Sequence, residues 1–406
     1  MTEATRFLRR RQLLAGSAGA LASAGLVGFA DKAVAQSASS PAAGPRPLPP
    51  YAAWKDANAV IVHSATTIET KRSAFGTSSI TPTDQLFIRN NLPAPDASIV
   101  ANRDAWQVSV EGVRNPRTIS VADLKTMGLE TVATVLQCSG NGRGFFPSKP
   151  SGTPWTVGAA GCVVWSGVPV RYVAEACGGV ASGMFYLTGT GGEKLPEGVD
   201  PLSIVVERSV PITAMTDAIL TGEMNGAPIP LAHGGPLRLV VPGYQGVNNV
   251  KYVKRLAFTS AESQARIMTH GYRITPLGGT SVPGEPSIQQ IPIKSWVNFP
   301  AGDRNVRAGT VYVTGVAFGS GSPIRRVEVS SDGGKTWIDA PFFGPDLGRF
   351  AWRQFALPLQ MAPGNYIVAS RAIDAAGNVQ PQERLENAHG YNNNSWADAA
   401  VRVAVV

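Results

Sequence analysis

The sequence predicts an α+β protein in which a mixed α+β domain is followed by an immunoglobulin-like β-sandwich. The chain has 406 residues, which argues for two or three domains because single cores rarely grow past about 250 residues. It contains 44 Gly and 31 Pro residues, which favour short strands and turns over long helices. Hydrophobic residues make up 44% and charged residues 16%, so large cores are expected and a disordered chain is excluded.

The first 35 residues have the three regions of a secretory signal. A basic start precedes an apolar run over residues 13–30, and Ala33-Val34-Ala35 fits a small-x-small cleavage site. Arg10-Arg11 and the leucines that follow fit the twin-arginine pattern. We therefore expect residues 1–35 to be a cleaved twin-arginine signal peptide, the mature protein to lie in the periplasm, and no membrane association after signal removal. An uncleaved anchor is the alternative, because the run reaches the lower limit of a membrane span.

The net charge favours an anionic small substrate or an acidic protein partner over nucleic acid. The chain has 36 Lys and Arg against 28 Asp and Glu residues, a formal charge of +8. The first 35 residues contain five of the bases and two of the acids, so the remainder carries +5. This excess is modest and is not gathered into a Lys/Arg run, so no nucleic acid partner is expected.

Residues 36–80 are predicted to form a leader and an N-terminal arm, and residues 81–275 a mixed α+β domain. Short patterns in this domain indicate a strand at 106–110, a helix at 121–127 capped by Ser120, and a strand at 237–241. No G-x-G-x-x-G follows a strand, so a dinucleotide site is not expected.

The chain changes character after a Gly/Pro/Ser-rich stretch at 276–286, which we interpret as a linker. Residues 287–406 alternate strand-like runs with Gly-containing turns. The predicted strands are 311–317, 325–331, 353–357 and 366–373. This pattern is typical of an immunoglobulin-like sandwich, a fold that more often binds or dimerises than catalyses.

Three cysteines in an exported chain leave at least one unpaired. Cys162 and Cys177 are close enough in sequence for a disulfide, and two buried thiols are the equal alternative. Cys138 follows an apolar strand and opens a Gly-rich loop that leads to Arg143. Positive charge and free backbone N–H groups favour a thiolate there. Cys138 is therefore either a metal ligand or nucleophile, or a plain loop cysteine, and the sequence favours neither interpretation. A single thiolate ligand to a metal held mostly by an organic cofactor fits this isolated cysteine.

Five short motifs occur in a fixed order along the chain, and together they are more specific than any one of them. They are Phe87–Asn91 (FIRNN), Gln137–Arg143 (QCSGNGR), Glu223–Gly226 (EMNG), His233–Gly243 (HGGPLRLVVPG) and Asp332–Trp337 (DGGKTW). This series resembles the successive motifs of the sulfite oxidase family of molybdenum enzymes. With the export signal, the chain is most similar to the bacterial periplasmic sulfite dehydrogenases.

The resemblance implies a sulfite oxidase fold, with a molybdopterin-binding catalytic domain over residues 81–275 and a dimerisation domain over 287–406. It implies molybdenum bound to one molybdopterin, with Cys138 as the protein ligand to the metal. Sulfite is the implied substrate, and a homodimer the implied assembly. Because the chain has no haem motif, no haem is expected in it, and electrons would leave to a c-type cytochrome.

The same resemblance implies roles for further residues. Arg89 and Arg143 match arginines near the substrate oxyanion, and Tyr272 matches a tyrosine that reaches the active-site oxygen. The implied cofactor-binding residues besides Cys138 are Asn90, Asn91, His233, Arg238 and Lys251. Each basic residue taken alone would more often be a solvated surface group.

Two positions depart from the family pattern. Asn91 stands where many relatives have histidine, so a proton relay at that point is in doubt. His389 lies close to the place where relatives supply another substrate-site arginine. The sequence leaves three interpretations open. His389 is a partly charged substitute for that arginine, His389 is a structural residue, or Arg384 takes the place of the arginine.

The residues leave other functions open. A sulfane-sulfur dehydrogenase of a thiosulfate-oxidising system has the same scaffold, and fold alone does not separate it from a sulfite dehydrogenase. A periplasmic methionine sulfoxide reductase fits less well, because those proteins lack the C-terminal sandwich. A non-catalytic periplasmic binding protein built on the sandwich would leave Cys138 and the arginines unexplained.

Overall fold

The computed structural model describes residues 46–406, so the predicted signal peptide and the first part of the leader lie outside the described residues. Short, mainly antiparallel strands dominate this part of the chain, and its longest α-helix has seven residues. The predicted α+β class with few helices is confirmed. No helix between residues 46 and 406 has the length and apolar character needed to cross a bilayer.

The first part of the described chain contains thirteen strands and four short helices. In chain order the strands are β1 (Val60–Ser64), β2 (Thr67–Thr70), β3 (Ile88–Arg89), β4 (Gln107–Glu111), β5 (Arg117–Ser120), β6 (Glu130–Gln137), β7 (Ala160–Pro169), β8 (Tyr186–Gly191), β9 (Glu207–Pro211), β10 (Ile219–Met224), β11 (Ala227–Pro228), β12 (Arg238–Val240) and β13 (Val253–Thr259). The helices are α1 (Val121–Lys125), α2 (Val170–Ala176), α3 (Pro201–Ile204) and α4 (Arg266–Thr269).

These strands form three sheets. The first has the order β1-β2-β3, and the second has the order β11-β10-β7-β6 with β12 paired to β10. The third has the order β5-β4-β13-β8-β9, in which β4 and β13 are parallel. The third sheet packs with α1, α2 and β12 around one buried core. Alternation in β4 explains this packing, because Val108 and Val110 are fully buried while Gln107 is exposed.

Helix α1 begins where the sequence predicts it. Ser120 Oγ accepts a hydrogen bond from the Asp123 backbone N–H at 3.0 Å, and the Asp123 carboxylate accepts one from the Ser120 N–H at 3.4 Å. This capping box fixes the first turn. The helix ends at Lys125, two residues earlier than predicted, because Thr126 already caps its last turn.

The second part is a sandwich of two four-stranded sheets, as predicted. Its strands are β14 (Lys294–Phe299), β15 (Gly309–Phe318), β16 (Ile324–Ser330), β17 (Ile338–Ala340), β18 (Phe342–Phe343), β19 (Arg353–Met361), β20 (Gly364–Asp374) and β21 (Val401–Val405), with helix α5 (Trp396–Ala399) before the last strand. The sheets have the orders β14-β15-β19-β18 and β17-β16-β20-β21. Val313 of one sheet and Val327 and Val368 of the other belong to the core between them.

The predicted linker is a closed loop. Arg273 and Ser287 pair as an antiparallel bridge at its ends, and Arg273 Nη1 donates to the Glu285 carbonyl at 2.6 Å. Ser281, inside the loop, is buried and contacts His389 Nε2 through its hydroxyl at 2.7 Å. The segment therefore packs beside the C-terminal part of the chain.

The three cysteines are all free. Cys162 lies on β7 and Cys177 directly follows α2, and both side chains are fully buried. Burial raises the pKa of the Cys162 thiol to about 12. Of the two alternatives that the sequence leaves open, the disulfide is therefore wrong for this structure, and the buried thiols are observed.

A buried arginine joins the third sheet to the start of the sandwich segment. Arg208 of β9 is 1% exposed. Its Nε donates to Asn248 Oδ1 at 3.1 Å, and its Nη1 to the Ile267 carbonyl at 2.8 Å. Its Nη2 donates to Ser287 Oγ at 2.9 Å and to the Ile288 carbonyl at 3.1 Å. Burial lowers the pKa of Arg208 to about 10, so the group stays charged at neutral pH.

Replacing Arg208 with methionine is expected to lower the free energy of unfolding by about 3 kcal/mol, because buried acceptors lose their donor. The matched control is Arg255→Met on neighbouring β13, whose guanidinium is partly exposed and pairs with Glu111 and Glu207. That change should cost less than about 1 kcal/mol. Urea unfolding of both variants checks the difference, and equal losses would contradict the role given to Arg208.

Candidate active site

Two adjoining cavities share a wall in the first part of the chain. The common lining consists of Arg89, Asn90, Asn91, Cys138 and Tyr272. We call one the basic cavity, because His233, Arg238 and Lys251 also line it. The other, the polar cavity, has a volume of about 420 Å³ and is further lined by hydroxyl groups, Arg143, His389 and Tyr391. All ten residues predicted to form the site therefore border these two cavities.

Strand β6 delivers Cys138 to the shared wall. Its last residues are buried, and the Cys138 backbone N–H continues the pairing by donating to the Ala159 carbonyl at 2.9 Å. The chain then turns sharply, with the Asn141 N–H donating to the Cys138 carbonyl at 2.9 Å. Gly142 has a φ of 95°, a left-handed conformation that favours glycine. The thiol is 8% exposed, so only the cavities give access to it.

Arg143 is held rigidly beside this loop. Its Nε donates to the His389 carbonyl at 2.8 Å and its Nη1 to the Thr153 carbonyl at 3.1 Å. A Cβ at Gly140 would lie 2.5 Å from Nη2, so glycine is needed for this close approach. Nη2 makes no hydrogen bond to residues 46–406. The guanidinium therefore keeps donors for an anion in the polar cavity.

Arg89 and Asn90 come from the end of the small first sheet. Arg89 pairs with Thr67 across β2 and β3, and its Nη1 donates to the Asn90 carbonyl. Burial acts to lower the pKa of Arg89, but the nearby Tyr272 and Cys138 raise it overall, so the group is a permanent cation. Its other guanidinium nitrogens make no hydrogen bond within residues 46–406, which leaves them available to an oxyanion.

Two tyrosines form an aromatic wall of the polar cavity. The rings of Tyr272 and Tyr391 stack with centroids 5.3 Å apart and an interplanar angle of 17°. The Tyr272 hydroxyl donates to Asn91 Oδ1 at 3.2 Å, which gives Asn91 an orienting role that needs no titratable group. The Arg143 guanidinium lies 5.3 Å from the centre of the Tyr391 ring. Burial raises the pKa of Tyr391, so its hydroxyl stays protonated at neutral pH.

His389 borders the polar cavity, whereas Arg384 does not. The His389 imidazole contacts Ser281 Oγ through Nε2 at 2.7 Å. Burial and the nearby charge of Arg143 lower its pKa, so a partly charged imidazole is not expected at neutral pH. Arg384 instead forms ion pairs with Glu386 and Asp398 at 2.6 Å each. Arg384 is therefore held by acidic partners outside the cavity lining, whereas His389 stays a predicted site residue that borders the polar cavity.

The basic cavity concentrates positive charge in a buried setting. Arg238 Nη1 donates to the His233 carbonyl at 2.8 Å, and Lys251 Nζ donates to Asn90 Oδ1 at 2.5 Å and to the Ala232 carbonyl at 2.6 Å. Burial lowers the pKa of Arg238 to about 10 and holds the pKa values of His233 and Lys251 well below their usual ranges. Glu193 is the acidic residue in the lining, and burial raises its pKa.

Three buried polar atoms of these cavities have no hydrogen-bond partner among the described residues. They are Asn90 Nδ2, Ser139 Oγ and Arg238 Nε. Because buried donors are rarely left unpaired in native proteins, these atoms fit a polar, anionic group such as a phosphorylated pterin. Within residues 46–406, no three His, Cys, Asp or Glu side chains cluster as a metal site. A metal here would therefore take Cys138 as its protein ligand and its remaining ligands from a cofactor.

Sequence reasoning missed several residues of the site. Tyr391 stacks on Tyr272, Lys55 contacts His233, and Lys294 donates from β14 to the Asn141 carbonyl at 3.2 Å. The sequence carries little signal for the two lysines, because they are distant from the motifs along the chain. Tyr391 lies two residues after His389, a predicted site residue. This closeness in sequence is the signal that could have identified Tyr391.

Two family models match this chain. The model described as "Oxidoreductase molybdopterin binding domain" matches residues 93–267, and the model described as "Mo-co oxidoreductase dimerisation domain" matches residues 285–404. The first match lies inside the predicted catalytic domain. The second begins at residue 285, within the last two residues of the predicted linker, and otherwise lies inside the predicted dimerisation domain.

Several similar proteins are sulfite oxidases. The Gallus gallus sulfite oxidase is 31% identical over 339 residues, which is 78% of this chain and 72% of that protein. The mitochondrial sulfite oxidase of Rattus norvegicus is 32% identical over 350 residues, and the Arabidopsis thaliana sulfite oxidase is 29% identical over 364 residues. The matched region spans 62% of the rat protein and 91% of the Arabidopsis protein.

One solved structure is similar over nearly the whole chain. The sulfane dehydrogenase SoxCD of Paracoccus pantotrophus superposes with a TM-score of 0.71 over 85% of this chain and 88% of that chain. Its sequence identity is 24%, so this likeness supports the arrangement of the fold and says nothing about the substrate.

Proposed function

Because the chain belongs to the sulfite oxidase family of molybdenum enzymes, we propose that it is a molybdenum-dependent sulfite dehydrogenase. In this proposal the protein oxidises sulfite to sulfate and passes the electrons to an external acceptor. One observation carries it: Cys138 and Arg89 border both cavities, with Arg143 in the polar cavity and a buried cluster of basic side chains in the basic cavity. A thiolate ligand, an oxyanion site and a phosphate site are thus contiguous.

Molybdenum bound to molybdopterin would supply the two-electron redox chemistry in this arrangement. Cys138 would hold the metal, and His233, Arg238, Lys251 and Asn90 would hold the pterin and its phosphate. Arg238 Nε and Asn90 Nδ2 are buried and have no hydrogen-bond partner within the part of the chain that the structure describes, so the cofactor would satisfy donors that are otherwise costly.

The substrate side of the site depends on positioning and charge. Arg89 and Arg143 would bind the oxygens of a sulfur oxyanion through charge-assisted hydrogen bonds. Arg143 is preorganised for this, because the His389 and Thr153 carbonyls fix two of its nitrogens. Asn91 Oδ1 holds the Tyr272 hydroxyl at the cavity wall, and this hydroxyl would have to release Asn91 in order to donate its one proton to the reacting oxygen. The Tyr272–Tyr391 stack would exclude water from one side.

The remaining parts of the proposal concern the setting of the enzyme. The twin-arginine signal and Ala33-Val34-Ala35 support export to the periplasm. A c-type cytochrome is the proposed acceptor, because such proteins carry single electrons in that compartment. The match of residues 285–404 to a dimerisation domain supports a homodimer.

A steady-state assay of the holoenzyme tests the proposal. We expect sulfite to reduce both cytochrome c and ferricyanide with one molybdenum and one releasable pterin per chain, and thiosulfate to be a much poorer substrate. Protein from a host that cannot make the cofactor is the control and should be inactive. A protein free of molybdenum after expression in a competent host would instead support a non-catalytic binding protein.

The aromatic wall of the polar cavity favours a second candidate. The stacked rings of Tyr272 and Tyr391 offer apolar contact to the carrier of a sulfane sulfur. A sulfane-sulfur dehydrogenase would use the same Cys138 and arginines. Turnover of thiosulfate or of a persulfide at a rate well above that of sulfite, in the same assay, would replace the first proposal with this one.

A further inference from the structure

A buried lysine of the N-terminal arm contacts His233, one of the residues that line the basic cavity. Lys55 precedes β1 and is 4% exposed. Its Nζ donates to the Thr83 carbonyl at 2.6 Å and to the Leu86 carbonyl at 2.5 Å, and it lies 2.9 Å from His233 Nε2. The matched molybdopterin-binding model begins at residue 93, so Lys55 lies outside the matched part of the chain.

These contacts determine the state of His233. The Thr83 and Leu86 carbonyls take two of the Lys55 N–H groups. When Lys55 is charged, its third N–H donates to His233 Nε2, and the neutral ring then carries its proton on Nδ1. Burial and the neighbouring cations hold the pKa of His233 well below its usual range, which keeps the ring neutral. Trp54 packs its edge against the ring with centroids 5.8 Å apart, and Lys55 Nζ lies 4.6 Å from the centre of the Trp54 ring.

We propose that Lys55 is a positioning residue for the cofactor phosphate: it orients His233 through Nε2 so that Nδ1–H is the donor presented to the anion. This inference rests on the proposed function. It assigns to the N-terminal arm a share of the cofactor site, through a residue that does not itself line the cavity.

Charge supports the same assignment. Burial lowers the pKa of Lys55 to about 7, with Asp84 opposing the shift. An anionic phosphate at His233 would favour the charged form of Lys55. His233, Arg238 and Lys251 would then face one dianion, with Lys55 behind His233 and Glu193 as the acidic residue of the lining.

Cofactor retention tests the inference without relying on turnover. We expect Lys55→Met to lower the molybdenum and phosphorylated pterin retained per chain after dialysis by about tenfold, as loss of a residue that orients a ligand commonly does. Lys55→Arg should retain most of the cofactor, and Lys55→Gln an intermediate amount. The matched control is Lys71→Met on the same arm, which should retain the wild-type amount. Lys71 Nζ donates to the Asn58 carbonyl at 2.8 Å, and that carbonyl does not belong to either cavity lining.

A double-mutant cycle separates positioning from a general loss of stability. If Lys55 acts through His233, Lys55→Met should cause little further loss of cofactor in a His233→Ala background. The cofactor-free Lys55→Met protein should melt cooperatively near the cofactor-free wild type, while the rise in Tm on cofactor loading should shrink. Wild-type retention in Lys55→Met, equal retention in the Met, Gln and Arg variants, or fully multiplicative losses in the double mutant would overturn the inference.

The outcomes distinguish this inference from the proposed function. A wild-type protein that binds molybdenum and pterin but does not oxidise sulfite would contradict the function alone, and retention would still decide the role of Lys55. A wild-type protein that binds neither would overturn both.

Discussion

Replacement of Cys138 by serine is expected to abolish sulfite-dependent reduction of cytochrome c while the chain stays folded. The thiolate is the proposed protein ligand to molybdenum, and a serine hydroxyl is not ionised at neutral pH, so it is a much weaker anchor. We expect kcat to fall by about a thousandfold or more, which corresponds to about 4 kcal/mol. Cofactor content and turnover of the purified variant measure the effect.

The fold should tolerate this change, because serine is close to cysteine in size and the Cys138 loop is held by backbone hydrogen bonds. Cys162→Ser on β7 is the matched control. That thiol is fully buried away from the cavities, so its loss should change stability and leave kcat intact. A Cys138→Ser protein with full turnover would refute the ligand role of Cys138.

Replacement of Arg89 by glutamine is expected to lower kcat/KM for sulfite by about a hundredfold, or about 2.7 kcal/mol. Loss of one preorganised donor to a developing oxyanion commonly has this size. Among residues 46–406, the Arg89 side chain makes a single hydrogen bond, to the Asn90 carbonyl, so most of its donors are available to substrate. Steady-state kinetics with sulfite as the varied substrate measure the effect, and the Tm should change little.

Arg143→Gln should behave differently. It also removes the hydrogen bonds to the His389 and Thr153 carbonyls, so both kcat/KM and Tm should fall. Arg89→Lys keeps the charge but lacks the planar fork, and should recover only part of the loss. An Arg89→Gln enzyme with wild-type kcat/KM would show that the oxyanion binds elsewhere.

Local signals in the sequence predicted much of the fold. The capping box at Ser120, the alternation in β4 and the turns of the sandwich depend on neighbouring residues, so they are visible without tertiary information. The edges of elements were less predictable. The predicted linker is a closed loop because Arg273, Ser281 and Glu285 have partners that only folding brings near.

The site was predictable where motifs carry it and unpredictable where distant segments converge. Cys138, Arg143 and His233 belong to motifs, and the structure places them on two adjoining cavities. The charge state of His389 is different, because its pKa depends on burial and on the nearby charge of Arg143. Lys55 contacts His233 across 178 positions of the chain, a separation that no local pattern reveals.

Molybdenum K-edge X-ray absorption of the wild type and of Cys138→Ser is the most direct test of the central claim. We predict bound molybdenum in the wild type, and one fewer sulfur neighbour around whatever metal the variant retains. The same number of sulfur neighbours in both proteins, or no molybdenum in wild-type protein from a cofactor-competent host, would contradict the assignment of Cys138 as the metal ligand.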